Sequence, residues 1–354
     1  MMLDFVQLGL PVNLVLFPAA AAVVWFAGTR LTHYADAISN ATGIGQAVVG
    51  IILLAGVTSL PEIGATATAA VAGDAQLAVN NLFGSIALQV ALLAVVDAVI
   101  GRRALTSVVP EPTIFVQGGL NIVLISLAAA AFVSGDIGLF GIGLWSWGFL
   151  LAYVCCVWIL SSAQGRTPWL AASGNRVDRG LIDRQRRKSG AGGQHEALRS
   201  LAFKTAGVAA LILVAGFVLA RSADAIAQQT GIGSSFVGYV LLAFATSLPE
   251  LSSALAAARR GLFTMAISDI YGTNLINVAL IFLVDLLDTG DPVANRMDSF
   301  AIFGALLAIV LTAIFMIGLA ERRDRSFARM GYDSILVAIA YLGGVAILYT
   351  LRQG

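Results

Sequence analysis

The pentapeptide Thr58-Ser59-Leu60-Pro61-Glu62 occurs a second time in this chain, as Thr246-Ser247-Leu248-Pro249-Glu250. A shift of 188 residues, the interval from Thr58 to Thr246, superimposes these two copies and several other stretches. Among them are Ala35-Asp36-Ala37-Ile38 with Ala223-Asp224-Ala225-Ile226, Thr42-Gly43-Ile44-Gly45 with Thr230-Gly231-Ile232-Gly233, and the single pairs Gly73 and Gly261, Gly84 and Gly272, and Asp97 and Asp285. Self-similarity at one fixed interval indicates an internal duplication. The sequence therefore predicts two equivalent halves, each with one copy of the pentapeptide.

The chain is too apolar for a water-soluble domain. Hydrophobic residues make up 58% of its 354 residues, only 12% are charged, and the mean hydropathy is +0.89. Its apolar stretches have roughly the 17 to 25 residues that a helix needs to cross a bilayer. We therefore expect several helices to span a membrane. The net charge of +1 argues against nucleic acid as a partner, because nucleic-acid binding needs a concentrated basic face.

Apolar stretches and the polar breaks between them predict an all-α, polytopic membrane protein with ten transmembrane helices. The expected helices cover residues 11–29, 43–72, 77–101, 113–134, 138–161, 203–221, 232–258, 262–287, 298–319 and 332–350. The first five form a repeat over residues 1–163, and the last five form a repeat over residues 203–354. Residues 164–202, rich in Arg, Gly and Ser, are predicted to be a basic linker between the halves.

The positions of Lys and Arg support this helix count. When the linker is placed in the cytoplasm, all but three of the 21 Lys and Arg residues fall on the cytoplasmic side, the exceptions being Arg221, Arg296 and Arg352. We expect a plasma (inner) membrane protein with both termini extracytoplasmic and the linker cytoplasmic. Both histidines, His33 and His195, fall in predicted polar connections, which leaves no intramembrane histidine to act as a base.

The two copies of the pentapeptide are five predicted helices apart. Because five is odd, equivalent helices must cross the membrane in opposite directions, so the duplication is an inverted repeat. Inverted repeats are typical of alternating-access transporters, whose site lies at the midplane where the halves meet. The sequence therefore predicts two inverted five-helix repeats with a shared central site.

The pentapeptide lies in the middle of the second and seventh predicted helices. Its proline removes one backbone hydrogen bond and is expected to free the carbonyls of Val57 and Ala245. A glutamate at this depth costs about 2.5 to 3.5 kcal/mol on insertion scales, so it needs a partner. A proline kink with a protonated glutamate is the structural alternative for either motif alone, but two equivalent copies favour a binding site. The candidate ligands of the two motifs are Glu62, Glu250, Thr58, Ser59, Thr246 and Ser247.

The third and eighth predicted helices carry a matching polar face. Residues spaced by four lie on one side of a helix, and both helices have three such polar residues. They are Asn81, Ser85 and Gln89 in the third helix and Asp269, Thr273 and Asn277 in the eighth. Small polar residues also join membrane helices without binding a ligand, which is the structural alternative. Asp97 and Asp285 match across the repeats but lie near helix ends, and we interpret them as interfacial residues.

All of these candidate ligands are oxygen or amide groups. Oxygen ligands suit hard cations such as Ca²⁺ and Na⁺ and are a poor match for zinc or copper. We therefore expect inorganic cations and the lipid bilayer as partners, no cofactor, and no obligatory protein partner. An intramembrane hydrolase would need a base beside its nucleophile, and no intramembrane histidine is predicted.

The paired pentapeptide, each copy followed by a helix with Gly-Ser or Gly-Thr, resembles the alpha repeats of the calcium/cation antiporter superfamily. The resemblance covers almost the whole chain apart from the linker. It implies that Glu62 and Glu250 form the centre of the ion site. It further implies oxygen ligands at Thr58, Ser59, Thr246, Ser247, Ser85, Gln89, Thr273 and Asn277.

The resemblance implies export of Ca²⁺ driven by entry of Na⁺, but three residues depart from the pattern of sodium/calcium exchangers. Gln89 stands where those proteins usually have Asn, Asn277 where they often have Asp, and Asp269 where Asn is common. Family members that use protons also tend to carry amides at such positions, so Ca²⁺/H⁺ exchange through the same glutamates is an alternative. A passive cation channel is a third possibility, and it would need a continuous polar pore.

Overall fold

A computed structural model of the chain describes residues 5–43, 45–100, 105, 113–162, 198–230, 236–321, 326–327 and 330–351. The first half contains α1 (Leu10–Thr42), α2 (Gln46–Thr58), α3 (Leu60–Val71), α4 (Ala75–Ile100), α5 (Thr113–Ser134), β1 (Gly138–Leu139), β2 (Ile142–Gly143) and α6 (Leu144–Ser162). The second half contains α7 (Leu198–Thr230), α8 (Gly238–Thr246), α9 (Leu248–Arg259), α10 (Phe263–Leu287), a 3₁₀ turn (Val293–Arg296), α11 (Ser299–Glu321), β3 (Ser326–Phe327), β4 (Met330–Gly331) and α12 (Tyr332–Leu351). The strands form two antiparallel hairpins, β1 with β2 and β3 with β4.

The helical membrane fold expected from the sequence is confirmed. Within the described residues, 8 helices are long and apolar enough to span a membrane, or up to 10 when each bent pair is one span. The bent pairs are α2 with α3, which meet at 45°, and α8 with α9, which meet at 50°. Each pair was predicted as one kinked helix. Instead the helix ends before Ser59 or Ser247 and a new helix begins, with its proline in the first turn, where the missing N–H breaks no helical hydrogen bond.

The two halves repeat at the level of single elements. Helices α1 and α7 have 33 residues each and bounds 188 positions apart, as have α3 and α9 and both β hairpins. Contacts between the halves are reciprocal. Gly28 of α1 lies against Pro249 of α9, and its equivalent, Gly216 of α7, lies against Pro61 of α3. Reciprocal contacts of this kind are expected when two equivalent halves are related by a two-fold axis.

Helices α4 and α10 form the centre of the bundle. In the most apolar 18-residue stretches of α4 and α10, 83% and 67% of the stretch is buried inside the protein. The corresponding share is 22% in α1, α6 and α12. Gly84 of α4 touches the backbone of Tyr239 in α8, and Gly272 of α10 lies against Ile51 of α2. A side chain at either glycine would hold these helices apart. The polar faces of α4 and α10 are therefore held close to the breaks in the bent pairs.

The first and sixth helices are longer than their hydropathy predicted. They were expected at 11–29 and 203–221, but α1 and α7 have about 50 Å of helix each, against a hydrocarbon core of about 30 Å. His33 is consequently part of α1 and not of a polar connection, which corrects the expectation for that residue. The predicted linker at 164–202 overlaps α7, which begins at Leu198. Residues 163–197, including His195, lie outside the described residues.

Asp97 and Asp285 lie near the ends of α4 and α10, as the sequence indicated, and both side chains are buried. Asp97 accepts hydrogen bonds from the backbone N–H groups of Leu105 at 2.6 Å and Gly331 at 2.7 Å. Asp285 accepts equivalent bonds from Val293 at 2.7 Å and Gly143 at 3.1 Å. Each carboxylate therefore anchors the β hairpin of the opposite half.

Candidate cation site

The breaks in the two bent helix pairs place both motif glutamates at equivalent positions. Glu62 lies in the first turn of α3 and Glu250 in the first turn of α9, and both side chains are fully buried. The first turn of a helix has unpaired N–H groups and the positive end of the helix dipole, which stabilise a carboxylate. The proline that starts each helix thus also creates the local environment of its glutamate.

The motif threonines contact the site across the two halves. Thr246 of α8 faces the carboxylate of Glu62, and Thr58 of α2 faces that of Glu250. These approaches are looser than full hydrogen bonds, because within the described residues both oxygens of Glu250 and Oε2 of Glu62 have no hydrogen-bond partner. The Ser59 hydroxyl donates to the carbonyl of Ala55 at 2.7 Å. Each glutamate therefore shares its surroundings with the motif of the other half.

Helix α4 contributes two side chains that connect these groups. The hydroxyls of Ser85 and Thr246 are 3.3 Å apart. The amide Nε2 of Gln89 donates to Ser247 Oγ at 3.2 Å and lies 3.5 Å from Glu62 Oε1. Ser85 and Gln89 thus face the break between α8 and α9.

Helix α10 adds a third buried carboxylate, that of Asp269. Its Oδ1 is 3.4 Å from the Thr58 hydroxyl, and its Oδ2 accepts a hydrogen bond from Ser253 of α9. The equivalent positions in the first half are Asn81 and Ala65, which carry no acid and no hydroxyl. The site is therefore symmetric in its glutamates and asymmetric in Asp269.

Several predicted ligands are buried without a partner. Among the described residues, the amides of Asn81 and Asn277 and the hydroxyl of Thr273 are fully buried and make no hydrogen bond. If these groups only joined helices, each would be expected to have a hydrogen-bond partner, because unpaired polar groups are costly in the interior. Three further residues of α4 and α10 that lie off the polar face, Asn80, Ser268 and Asn274, are likewise buried without a hydrogen-bond partner in the described structure.

The oxygen and amide groups of this cluster are of the kind that suit a hard cation. No group of three His, Cys, Asp or Glu side chains in the described part of the chain is close enough to hold a metal ion alone. An ion between Glu62 and Glu250 would therefore need hydroxyl, amide or carbonyl oxygens as well, the mixed oxygen set that Ca²⁺ accepts. The Thr58 hydroxyl lies between the carboxylates of Asp269 and Glu250.

A sequence model of the family described as sodium/calcium exchanger protein matches residues 12–162 and 201–350, which is most of the chain. The chain belongs to this exchanger family. The matched stretches coincide with the two helical halves and leave out the segment between them. The resemblance inferred from the paired pentapeptide is thereby confirmed, and this exchanger is a multi-pass cation antiporter of the membrane.

Individual relatives of the exchanger agree with the family match. The inner membrane protein YrbG of Escherichia coli (strain K12) is 25% identical over 280 residues, 78% of this chain and 81% of its own length. The sodium/calcium exchanger MaX1 of Methanosarcina acetivorans is 31% identical over 119 residues, about a third of each chain. A solved structure of the sodium-calcium exchanger NCX_Mj, soaked with Na⁺ and Sr²⁺, matches with a TM-score of 0.68 over 96% of this chain and 99% of that one. At 16% identity, the structural match shows the fold alone.

Sequence reasoning missed Ser253 of the exchanger, although it lies one turn after Glu250. Its hydroxyl donates to Asp269 and also contacts the carbonyl of Glu250, at 3.1 Å. The only available signal was its spacing from the motif, and its equivalent, Ala65, carries no polar group. The binding roles of all the residues described above remain predictions.

Proposed function

We propose that this exchanger exports Ca²⁺ in return for Na⁺ at a site centred on Glu62 and Glu250. The observation that carries the proposal is the symmetric pair itself. Two fully buried carboxylates occupy the first turns of α3 and α9, and each faces the motif threonine of the other half. A structural role for one buried glutamate would not require a second at the equivalent position.

The charge of the pair explains why transport would be coupled. Two carboxylates without counter-ions are costly in a low-dielectric interior, so the protein should not change sides with an empty site. One Ca²⁺ or two Na⁺ would neutralise the pair equally well. Exchange, and not one-way flow, follows from this requirement.

The arrangement of helices supports alternating access. Helices α1 and α7 pack against each other at the periphery, across α3 and α9 from the central helices. Where α1 crosses α9 and α7 crosses α3, Gly28 and Gly216 allow the helices to approach closely. Polar contacts also join α1 to α9, from Thr32 to the carbonyl of Ser253 and from Asp36 to Arg260. We propose that α1 and α7 slide across α9 and α3 at these close glycine contacts, opening the site to one side at a time. In this proposal both termini are outside and residues 164–202 lie in the cytoplasm, below the inner membrane.

Asp269 bears on the number of Na⁺ ions exchanged. Because it is one hydroxyl away from Glu250, its charge adds to the field at the site. Three Na⁺ would neutralise three carboxylates, whereas in the Ca²⁺-loaded site one negative charge would stay on Asp269, stabilised by the hydroxyls of Thr58 and Ser253. The proposed cycle therefore exchanges three Na⁺ for one Ca²⁺ and moves one net charge.

The second candidate function is Ca²⁺/H⁺ exchange, and two amides favour it. Gln89 stands where sodium/calcium exchangers usually have Asn, and Asn277 stands where they often have Asp. The amide of Gln89 also donates towards Glu62. In this case the glutamates would take up protons when Ca²⁺ leaves. Asp269, an added carboxylate in the same cluster, favours Na⁺ as the coupling ion.

Uptake of labelled Ca²⁺ into proteoliposomes decides between these functions. A Na⁺ gradient directed outwards should drive uptake at constant pH, and a proton gradient without Na⁺ should not. Uptake driven only by protons would replace the proposal with Ca²⁺/H⁺ exchange. Uptake that needs no counter-ion gradient would indicate a channel.

A further inference from the structure

A cavity outside the cation site lies between α1 and α9. It has a volume of about 190 Å³. Its walls are Trp25, Thr29 and His33 of α1 and Ser252, Leu255, Ala256, Arg259 and Arg260 at the end of α9. The three α1 residues are spaced by four and therefore form one stripe along the helix. None of the predicted ion ligands lines the cavity, which lies beside the end of α9 that carries Arg259 and Arg260.

The duplication does not repeat this cavity. The residues of the other half that correspond to Arg259 and Arg260 are Val71 and Ala72. Trp25, Thr29 and His33 correspond to Leu213, Phe217 and Arg221. The two glutamates at the centre of the cation site recur in both halves, whereas the lining of this cavity does not. The general excess of Lys and Arg on the cytoplasmic side of membrane proteins explains two arginines at a cytoplasmic helix end. It does not explain why tryptophan, threonine and histidine form a concave wall beside them.

The charged groups of the cavity wall are Arg259 and Arg260. The hydroxyls of Thr29 and Ser252 already donate to backbone carbonyls of their own helices. Arg260 forms an ion pair with Asp36 at 2.7 Å and also contacts Nδ1 of His33, so its guanidinium is held at the rim. Arg259 is exposed and has no ion-pair partner among the described residues. Arginine binds phosphate oxygens through paired N–H groups, and it suits this role better than lysine.

The remaining wall is apolar, with the ring of Trp25 and the side chains of Leu255 and Ala256. Basic groups above an apolar wall, at the end of membrane-spanning helices, match the head and upper chain of a phospholipid. Inorganic phosphate would use the arginines and leave this wall unused. We propose that the cavity binds the phosphate head of an anionic phospholipid from the cytoplasmic leaflet.

Such a lipid would contact both α1 and α9. In the proposed mechanism α1 slides across α9, so a lipid held between them would set how easily α1 moves. This consequence rests on the proposed function, whereas binding itself does not. The cavity would thus tune the exchange rate to the anionic lipid content without touching the ion ligands.

Native mass spectrometry of the purified full chain tests the proposal without any ion gradient. The probes are phosphatidylglycerol, phosphatidylcholine and inorganic phosphate, each added to protein in detergent. The wild type should retain one phosphatidylglycerol more tightly than the choline lipid. Arg259→Gln should weaken that binding about tenfold, the size expected for loss of a charge-assisted hydrogen bond. Trp25→Leu, which introduces the residue of the other half, should weaken it without any change of charge.

Arg30→Gln is the matched control, because Arg30 is exposed on α1 and does not line the cavity. It should retain the lipid as the wild type does, and size-exclusion profiles should show all variants folded. Equal retention by the wild type and Arg259→Gln would overturn the proposal. So would equal binding of phosphatidylcholine, or saturation of the site by inorganic phosphate alone. If the wild type binds the lipid but shows no Na⁺-driven Ca²⁺ uptake in proteoliposomes, that result would instead count against the proposed function.

Discussion

Replacing Asp269 by Asn should make the exchanger electroneutral. The side chain is fully buried and holds the Thr58 hydroxyl at 3.4 Å, so the substitution removes one charge from the site with little change of shape. In the proposed cycle, the site with three carboxylates exchanges three Na⁺ for one Ca²⁺, and one net charge crosses per cycle. With two carboxylates, two Na⁺ exchange for one Ca²⁺ and no net charge crosses.

The size of the effect follows from the work done on that single charge. A potential of 100 mV contributes about 2.3 kcal/mol per elementary charge, which corresponds to a factor of about 50 in an equilibrium ratio. The wild type should therefore accumulate about 50-fold more Ca²⁺ at an inside-positive potential of 100 mV than at zero potential. In Asp269→Asn the ratio should not respond to potential.

The assay is uptake of labelled Ca²⁺ into Na⁺-loaded proteoliposomes, with the potential set by a K⁺ gradient and valinomycin. Because the driving force on Ca²⁺ is thermodynamic, the orientation of the protein in the vesicles does not matter. Ser253→Ala is the matched control, since it removes a hydrogen bond to Asp269 and leaves the charge. It should keep the voltage response of the wild type. An identical voltage response in the wild type and Asp269→Asn would refute the assignment of Asp269 to the ion site.

Two further predictions concern the scaffold. Gly84→Ala should lower the free energy of unfolding by about 1 to 3 kcal/mol, because the new methyl overlaps the backbone of α8; Gly64→Ala, whose methyl would meet no atom within 4 Å, should not destabilise. Asp285→Asn should cost about 1 to 3 kcal/mol by weakening the anchor of the β1–β2 hairpin. Thermal unfolding in detergent measures all three variants, and equal midpoints for Gly84→Ala and Gly64→Ala would contradict the close packing of α4 on α8.

The duplication made the centre of the site predictable. Glu62 and Glu250 could be found because each occurs at the same position of a repeated motif, and the structure brings their surroundings together across the two halves. Ser253 was missed for the complementary reason. Its equivalent is Ala65, so a comparison between the halves gives it no weight, and only the fold shows that it donates to Asp269.

The extent of α1 could not be predicted from its composition. Hydropathy ends the helix before Arg30, because Arg30, His33 and Asp36 look like a polar connection. In the fold, Asp36 and His33 are held by Arg260, which lies 224 positions away from Asp36 in the sequence. A contact over that distance leaves no local signal. The buried roles of Asp97 and Asp285 were hidden in the same way, because each bonds to a hairpin of the other half that has only two residues per strand.

The most direct test of the central claim is Na⁺-driven uptake of labelled Ca²⁺ by Glu62→Gln and Glu250→Gln, each purified and reconstituted beside the wild type. Each substitution keeps the volume and removes one charge of the pair. Both variants should be expressed and folded, and both should lose exchange to the level of protein-free vesicles. Transport at the wild-type rate in either variant would contradict a site that requires both glutamates.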